Sequence, residues 1–361
     1  MKYFAYNRAI GGEDFNLLID NSLELARATY ENKKPADYKE KNATLLAGIA
    51  KYALTGTMWS AQFENEGLAI LNRPTVRNNS TFRDNFNAVI SQIVTAIVPD
   101  VVNGDFERYL AEIHQVGYGE TARFIIESND LFKVNSKAEG VRKGVDQPMY
   151  DNEITVHAHP ISIDTHIDWY PFASGVFDMG NFALKIARSF EAYIFLKVVK
   201  GMTAASTGFG AAYGANGVTP TLWGTLKQRV SAANGGMNVI AIGTEIALSN
   251  VSLGGNFQVE IGEEMNKIGH LDQYLSTPLI ALKNVLVPGT TNGAAELALP
   301  NNIIYMVPLA GDKPVKILFE GNEVSVVYNP DETSDVRYGI TVTMRVGVEA
   351  ICGAKYGTIT L

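Results

Sequence analysis

The sequence predicts an α+β fold built from unusually long elements, and three patterns carry that prediction. In residues 338–352, apolar side chains fall on every second position, which is the pattern of one half-buried β-strand. At about 3.3 Å per residue this strand would extend over about 50 Å, although most strands have about five or six residues. Residues 178–200 carry apolar side chains at helical spacing, and a polar loop at 128–151 separates two strand-like segments. Such long elements favour a thin plate over an enclosed catalytic globule.

The composition indicates a protein that contacts other subunits. Of 361 residues, 46% are hydrophobic and only 19% are charged, against about 25% charged in a typical soluble protein. No apolar run approaches the length of about 18 residues that would indicate a membrane span, so subunit contacts are the simplest use for the uncharged surface. The net charge of −8 argues against a dedicated nucleic-acid reader, which needs a basic stripe. It does not exclude a container that encloses DNA without gripping it.

The single cysteine and the first residues bound the cellular setting. Cys352 is alone in the chain, which rules out an intrachain disulfide framework, and its phase in the last strand predicts a buried thiol. Residues 1–10 lack an apolar signal segment. We therefore expect a cytoplasmic product.

The first third of the chain predicts an arm followed by a helix. Residues 1–75 contain short helical patterns interrupted at Gly11-Gly12, Pro35 and Arg73-Pro74, which is typical of an arm that finds partners outside its own domain. The next helix is predicted to open at Thr81, with Asp84 completing a capping-box pattern. Pro99 is predicted to stop it.

A hairpin-like excursion follows. Residues 123–127 and 152–167 predict strands, and the apolar phase of the second strand changes at Pro160, which predicts a bulge or bend there. The intervening loop at 128–151 is rich in Lys, Gly, Asn and Asp. A loop of this length is expected to project outwards and bind something.

The rest of the chain predicts one long helix, a joint and an α/β region that leads into the final strands. The helix at 178–200 is predicted to stop at Gly201, and the glycine-rich residues 208–217 to form a flexible connector. The further predicted elements are helices at 222–233 and 244–249 and strands at 239–242, 258–261, 285–287, 302–308, 315–319 and 324–328.

This order of elements resembles that of a known assembly fold. The stretch THIDWYPFASGVFDMGNFALKIARSFEAYI leads into the long helix, and VRYGITVTMRVGVEAICGAKYGTITL ends the chain. With these segments, residues 80–361 resemble the major capsid protein of tailed bacteriophages with the Hong Kong 97-like fold. The resemblance implies the following divisions: 1–80 an N-terminal arm, 81–119 the first part of the peripheral domain, 120–167 the extended loop, 168–220 the spine helix and joint, 221–300 the axial domain, and 301–361 the C-terminal strands of the peripheral domain.

The resemblance also implies a function. It implies a structural protein, not an enzyme, that self-assembles through hexamers and pentamers into an icosahedral virion shell around double-stranded DNA, assembled in the host cytoplasm. The implied partners are other copies of the chain, with scaffold, portal and minor capsid or cement proteins, and no cofactor is expected. A shell of the same fold that stores an enzyme cargo, an encapsulin-like nanocompartment, is the alternative within this class.

Charged residues are the candidates for intersubunit contact. They are Lys133, Lys137, Arg142 and Lys143 on the loop, and Arg188 and Glu191 on the long helix. Some members of the family join a loop lysine to an asparagine of a neighbour. Here we expect solvated lysines, because an exposed lysine at its ordinary pKa is a poor nucleophile.

A metal-dependent hydrolase is the alternative from a different class. His157 and His159 form an H-x-H pair, and residues 163–168 resemble the first metal-binding strand of amidohydrolases, with His166 inside it. That family has a second histidine where this chain has Asp168, and only His270 follows as a further histidine ligand. A zinc site needs three converging protein ligands, so we expect the histidines to line the polar face of a strand. No phosphate-binding motif occurs in the glycine-rich residues 208–217.

Overall fold

A computed structural model describes residues 13–102, 110–127, 132–134, 136, 139, 147, 149–251, 268–309, 313–321, 324–330, 333–334, 336–350 and 353–361. The chain divides into two compact units, and each consists of three segments. Unit 1 contains Met1–Gly104, His159–Glu191 and Glu320–Val346, and unit 2 contains Asp105–Ala158, Ala192–Phe319 and Gly347–Leu361.

The elements alternate between helical and strand-rich stretches, which confirms the α+β class. The helices are α1 Glu13–Tyr30, α2 Tyr38–Ala53, α3 Ser60–Glu66, α4 Pro74–Arg77, α5 Ser80–Val102, α6 Trp169–Ala173, α7 Met179–Gly208, α8 Pro220–Ala233 and α9 Glu245–Ser249, with 3-10 turns at Gly67–Asn72 and Ala211–Tyr213. The strands are β1 Ala111–Val116, β2 Ala122–Glu127, β3 Tyr150–Val156, β4 His159–Asp168, β5 Gly214–Asn216, β6 Val239–Gly243, β7 Gln273–Tyr274, β8 Thr277–Ala281, β9 Ile303–Pro308, β10 Val315–Glu320, β11 Ser325–Tyr328, β12 Arg337–Ala350 and β13 Gly357–Thr360. Within the described residues, no helix is long and apolar enough to cross a bilayer.

The described part of the segment predicted to be an arm is a helical layer of unit 1. Helices α1 and α2 pack on each other and on α5. Leu45, Leu46 and Ile49 of α2 are fully buried, as are Phe86 and Ile90 of α5. Residues 13–77 therefore have partners inside their own unit, and their contact with another subunit stays a prediction.

Helix α5 differs from its predicted bounds at both ends. Its first turn is capped by Asn79, whose Oδ1 accepts a hydrogen bond from the Phe82 amide at 3.0 Å, so the predicted Thr81 cap is wrong. The helix also continues past Pro99 to Val102, so the predicted stop is wrong. A proline inside a helix removes one hydrogen bond and bends the helix, but flanking contacts can carry the helix through it.

The final strand is confirmed, and in unit 1 it forms the middle of a sheet. Strand β12 pairs antiparallel with β4 on one side, with Val342 opposite Ile163, and with β11 on the other, with Val342 opposite Val326. The single strand predicted at 152–167 is wrong, because β3 ends at Val156 and β4 begins at His159, and the two strands belong to different sheets. The bulge or bend predicted at Pro160 is also wrong, since Pro160 pairs with Arg345 in the regular register of β4. Cys352 lies outside the described residues.

The long helix is confirmed but extends further than predicted. Helix α7 runs to Gly208, so the predicted stop at Gly201 is wrong. A glycine costs a helix interior only about 1 kcal/mol, and packing can outweigh that cost. At Gly201 the packing is close, since an added Cβ would lie 3.5 Å from the Cβ of Ala350 in the same unit.

Unit 2 contains the predicted α/β region. Its sheet has the strand order β5-β13-β9-β6-β8-β7, and α8 buries Trp223, Leu226 and Val230 in the core of this unit. The glycine-rich residues 208–217 are not only a connector, because β5 pairs parallel with β13. The prediction of a strand at 285–287 is wrong, because this segment makes only an isolated bridge between Leu286 and Leu297. The strand predicted at 258–261 lies outside the described residues.

Candidate intersubunit surfaces

The hairpin β2–β3 has one face packed inside unit 2. In its register Phe124 lies opposite Ile154 and Ala122 opposite Val156. Val156 is fully buried with Leu318 of β10, and Phe124 and Ile154 pack against the same cluster. Because alternate residues of a strand point to opposite faces, the neighbours of these residues point away from the cluster.

The other face of the hairpin exposes apolar surface. Ile125 is 66% exposed. Its partner in the β2–β3 ladder is Glu153, and Arg123 lies two positions before it on the same strand. In the segment between the two strands, Val134 is 94% exposed, and Phe132 and Met149 are also exposed. Single exposed apolar residues are normal on a protein surface, but several along one excursion mark a surface for another protein.

A partly exposed ion pair lies beside the inner face of this hairpin. Lys316 of β10 is only 4% exposed and forms an ion pair with Glu112 of β1, and its ammonium lies 5.7 Å from the centre of the Phe124 ring. His114 Nε2 lies 2.8 Å from the other Glu112 oxygen. Burial alone would raise the pKa of Glu112, but its contacts with Lys316 and His114 outweigh burial and lower that pKa. The carboxylate therefore stays ionised and fixes Lys316 and His114, and both of these side chains lie against the Phe124 ring of the hairpin.

The charged residues predicted to contact other subunits differ in their exposure and in their contacts. Lys133 is exposed, and its backbone is fixed by Gln147, whose Oε1 accepts from the Lys133 amide at 2.7 Å. The guanidinium of Arg188 lies 5.2 Å from the Tyr30 ring centre, within unit 1, and Glu191 is half-buried. Lys137, Arg142 and Lys143 lie outside the described residues. Their role in subunit contact, like that of Lys133, Arg188 and Glu191, stays a prediction.

Sequence reasoning missed Ile125, although the sequence contains a signal for it. It directly follows Phe124, so strand alternation alone places the two residues on opposite faces. The candidates for subunit contact were chosen by charge, and this criterion left out Ile125. On the ladder, Ile125 lies opposite Glu153 and two positions after Arg123.

A polar latch fixes the start of helix α7 to α2 in unit 1. Asp178 accepts hydrogen bonds from the Tyr38 hydroxyl at 2.7 Å, from Lys34 at 3.0 Å and from the Asn181 amide at 2.9 Å. Asn42 donates to the carbonyl of Phe177 at 2.8 Å. Burial alone would raise the pKa of Asp178, but these hydrogen bonds outweigh burial and lower that pKa.

The histidines do not form a metal centre in the part of the chain that the structure describes. His157 and His159 are exposed, and His166 Nε2 lies 3.6 Å from Asp168. His270 is buried, with its Nδ1 2.8 Å from the Leu271 carbonyl. Among the described residues, no group of three or more His, Cys, Asp and Glu side chains converges on one point.

An α+β fold with exposed apolar residues along one hairpin is expected of a structural protein that contacts other subunits. The particular family follows from the sequence. Residues 21–360 match the family described as "SPbeta prophage-derived putative capsid protein YonB", and the chain belongs to this family of prophage capsid proteins. No curated protein matches the chain significantly.

Three solved structures with a similar chain fold are distant in sequence. The capsid of a native GTA particle is 11% identical, covers 70% of this chain and 88% of its own, and has a TM-score of 0.47. The capsid of cyanophage P-SCSP1u is 10% identical over 70% of this chain and 86% of its own, with a TM-score of 0.46. The SrpI encapsulin of Synechococcus elongatus is 12% identical over 68% of this chain and 84% of its own, with a TM-score of 0.39. The assignment to a capsid family rests on the family match.

Proposed function

We propose that the chain is the major subunit of an icosahedral shell with the Hong Kong 97-like fold, built from hexamers and pentamers around double-stranded DNA. Membership of a capsid family supports this role. The observation that carries it is the two-faced hairpin β2–β3, whose inner face is anchored in unit 2 while Ile125 stands outward. In a free monomer the exposed side chain of Ile125 stays in water, whereas a shell subunit can bury it on a neighbour together with the other exposed apolar residues of this segment.

The mechanism of such a protein is association. Each subunit touches several neighbours at once, so contacts that are weak alone stabilise a closed shell through effective concentration. Weak single contacts also let a misplaced subunit dissociate before the shell closes. Residue Ile125 would supply one of these contacts, since burial of an isoleucine side chain contributes about 1.5–3 kcal/mol when complete.

The further partners follow from the same role. In a virion, the partners of the subunit would be a scaffold, a portal and minor capsid or cement proteins. The net charge of −8 fits enclosure of DNA without sequence-specific binding. The subunit would assemble in the host cytoplasm and end in the virion capsid. If purified particles contained an enzyme cargo in place of DNA, the encapsulin-like alternative would replace this proposal.

The test combines electron microscopy with two substitutions of one side chain. The purified protein should form rings or closed shells, and a monodisperse monomer at high concentration would overturn the proposal. Ile125→Thr should fold normally by circular dichroism but raise the protein concentration needed for assembly, measured by sedimentation, by about fivefold, which corresponds to about 1 kcal/mol per contact.

The matched control is Ile125→Val, because valine and threonine have nearly the same shape and differ in polarity. This variant should assemble within about twofold of the unchanged protein. Equal assembly by the threonine and valine variants would show that the outward face of the hairpin is not buried in the shell.

A further inference from the structure

The turn between β7 and β8 in unit 2 has an unusual residue in a demanding conformation. Leu275 and Ser276 form a two-residue hairpin loop, and both have positive φ values, 47° and 60°. Two consecutive positive φ values are the mark of a type I′ turn, where Asn-Gly is the favoured pair. Leucine is rare at such a position, because its Cβ crowds the neighbouring carbonyl oxygen.

Helix α8 holds this turn in place from one side. The ammonium of Lys227 donates to the carbonyl of Leu275 at 2.8 Å and to that of Ser276 at 3.1 Å. One turn earlier on the helix, Trp223 donates from Nε1 to Thr277 Oγ1 at 3.3 Å, and its ring packs edge-on against Tyr274 at 5.0 Å. A strained backbone conformation persists only where contacts such as these hold it in place.

The fixed turn presents its leucine to solvent. Leu275 is 46% exposed, although Tyr274 and Thr277 on either side of the turn are buried in the subunit. An Asn-Gly turn would give the same chain reversal without strain, so the fold of unit 2 alone does not account for leucine here. Strain that the fold does not require points to a function for the side chain.

We infer that Leu275 is an anchor side chain that inserts into a second copy of this chain. The inference rests on the proposed function, since a shell subunit meets other copies on its lateral surfaces. The character of the tip also fits a copy of the same protein. Leu275 presents an apolar side chain at the tip of the turn, and the chain has an unusually low share of charged residues, 19%, to oppose it on a neighbouring copy. Lys227 keeps its charge on the helix side of the turn, where its ammonium donates to two carbonyls.

Two substitutions in the same turn distinguish an effect of the Leu275 side chain on assembly from an effect of the turn backbone. Both Leu275→Asn and Ser276→Gly bring the turn closer to the favoured Asn-Gly sequence and relieve a positive-φ position. Each should therefore raise the unfolding midpoint of unassembled subunits, measured at a concentration too low for assembly, by about 2 °C. Only Leu275→Asn removes the apolar side chain, so only that variant should need about fivefold more protein to assemble in sedimentation.

The conservative variant Leu275→Met keeps an apolar anchor and should assemble within about twofold of the unchanged protein. Normal assembly by Leu275→Asn would overturn the inference, and so would an equal loss of assembly by Ser276→Gly, which would assign the effect to the turn backbone. Failure of the unchanged protein to assemble at all would instead count against the proposed function, so the two failures are distinguishable.

Discussion

The long strand β12 and the hairpin β2–β3 use their apolar residues in opposite ways. On β12, Ile340, Val342, Met344 and Val346 all lie on one buried side, and none of them is available to another molecule. The hairpin buries only its inner face and leaves Ile125 outward. The difference indicates that folding of the subunit and contact between subunits depend on separate sets of apolar residues, which substitutions should separate.

The largest expected effect comes from a charge on the buried side of β12. Val346→Asp should prevent folding, because it places a carboxylate without a partner in the core, at a cost of several kcal/mol. Circular dichroism should show loss of the native spectrum, and the protein should be recovered mainly in the insoluble fraction.

A valine in the neighbouring strand of the same sheet gives the matched control. Val327 on β11 is 54% exposed, so Val327→Asp should leave the subunit folded. If Val346→Asp and Val327→Asp were equally soluble and equally folded, the claim that folding depends on the buried apolar residues of β12 would be wrong.

A smaller effect is expected where β12 passes the end of β3. A Cβ at Gly347 would lie 2.5 Å from the carbonyl oxygen of His157 and 3.0 Å from Val156 Cγ1, so backbone would have to move. Gly347→Ala should lower the free energy of unfolding by about 1–3 kcal/mol. By contrast, Gly224→Ala in α8 meets no neighbour within 4 Å and should stabilise by about 0.5–1 kcal/mol. Urea unfolding of both variants measures the contrast, and equal effects would contradict the close approach at Gly347.

Local sequence pattern predicted β12 well because its signal is repeated over many residues. Because the period-2 alternation covers many positions, a single exception does not hide it. The described strand runs Arg337–Ala350, against a prediction of 338–352 whose last two residues lie outside the described residues. The helix ends were predicted less well, since Pro99 and Gly201 are weak local signals. Contacts made elsewhere in the fold decide whether a helix continues through such residues.

The candidate surfaces show a similar limit. Sequence reasoning selected charged residues such as Lys133 and Arg188, because charge is visible without a fold. The exposure of Ile125 depends on which face of the hairpin packs against Leu318, and that choice depends on residues almost two hundred positions apart. The turn at Leu275 carries no Gly, Asn or Asp, so nothing in its sequence predicts a type I′ conformation.

The smallest expected effect concerns the polar latch of Asp178, which extends the comparison from apolar to charged contacts. Asp178→Asn should lower the stability of unit 1 by about 1 kcal/mol at neutral pH, because it weakens charge-assisted hydrogen bonds from Tyr38 and Lys34. Assembly of the folded subunits should not change, since this contact lies inside the unit.

The pH dependence of that effect follows from the direction of the pKa shifts. The pKa of Asp178 is lowered from its ordinary value of 3.8, so its contribution is complete above that pH and is lost as the pH falls through the folded pKa. The hydrogen bond with Asp178 raises the pKa of Lys34 above 10.5, so the lysine contribution is lost only as the pH rises through that higher value. The difference in thermal unfolding midpoint between the unchanged protein and Asp178→Asn should therefore be constant from about pH 5 to 9 and shrink below about pH 4.

The control variant is Glu31→Gln, which removes the exposed ion pair between Glu31 and Lys33, 3.5 Å long. It should shift the thermal unfolding midpoint by less than about 1 °C. A difference for Asp178→Asn that persists unchanged at pH 2 would show that the latch acts through packing and not through the ionised carboxylate.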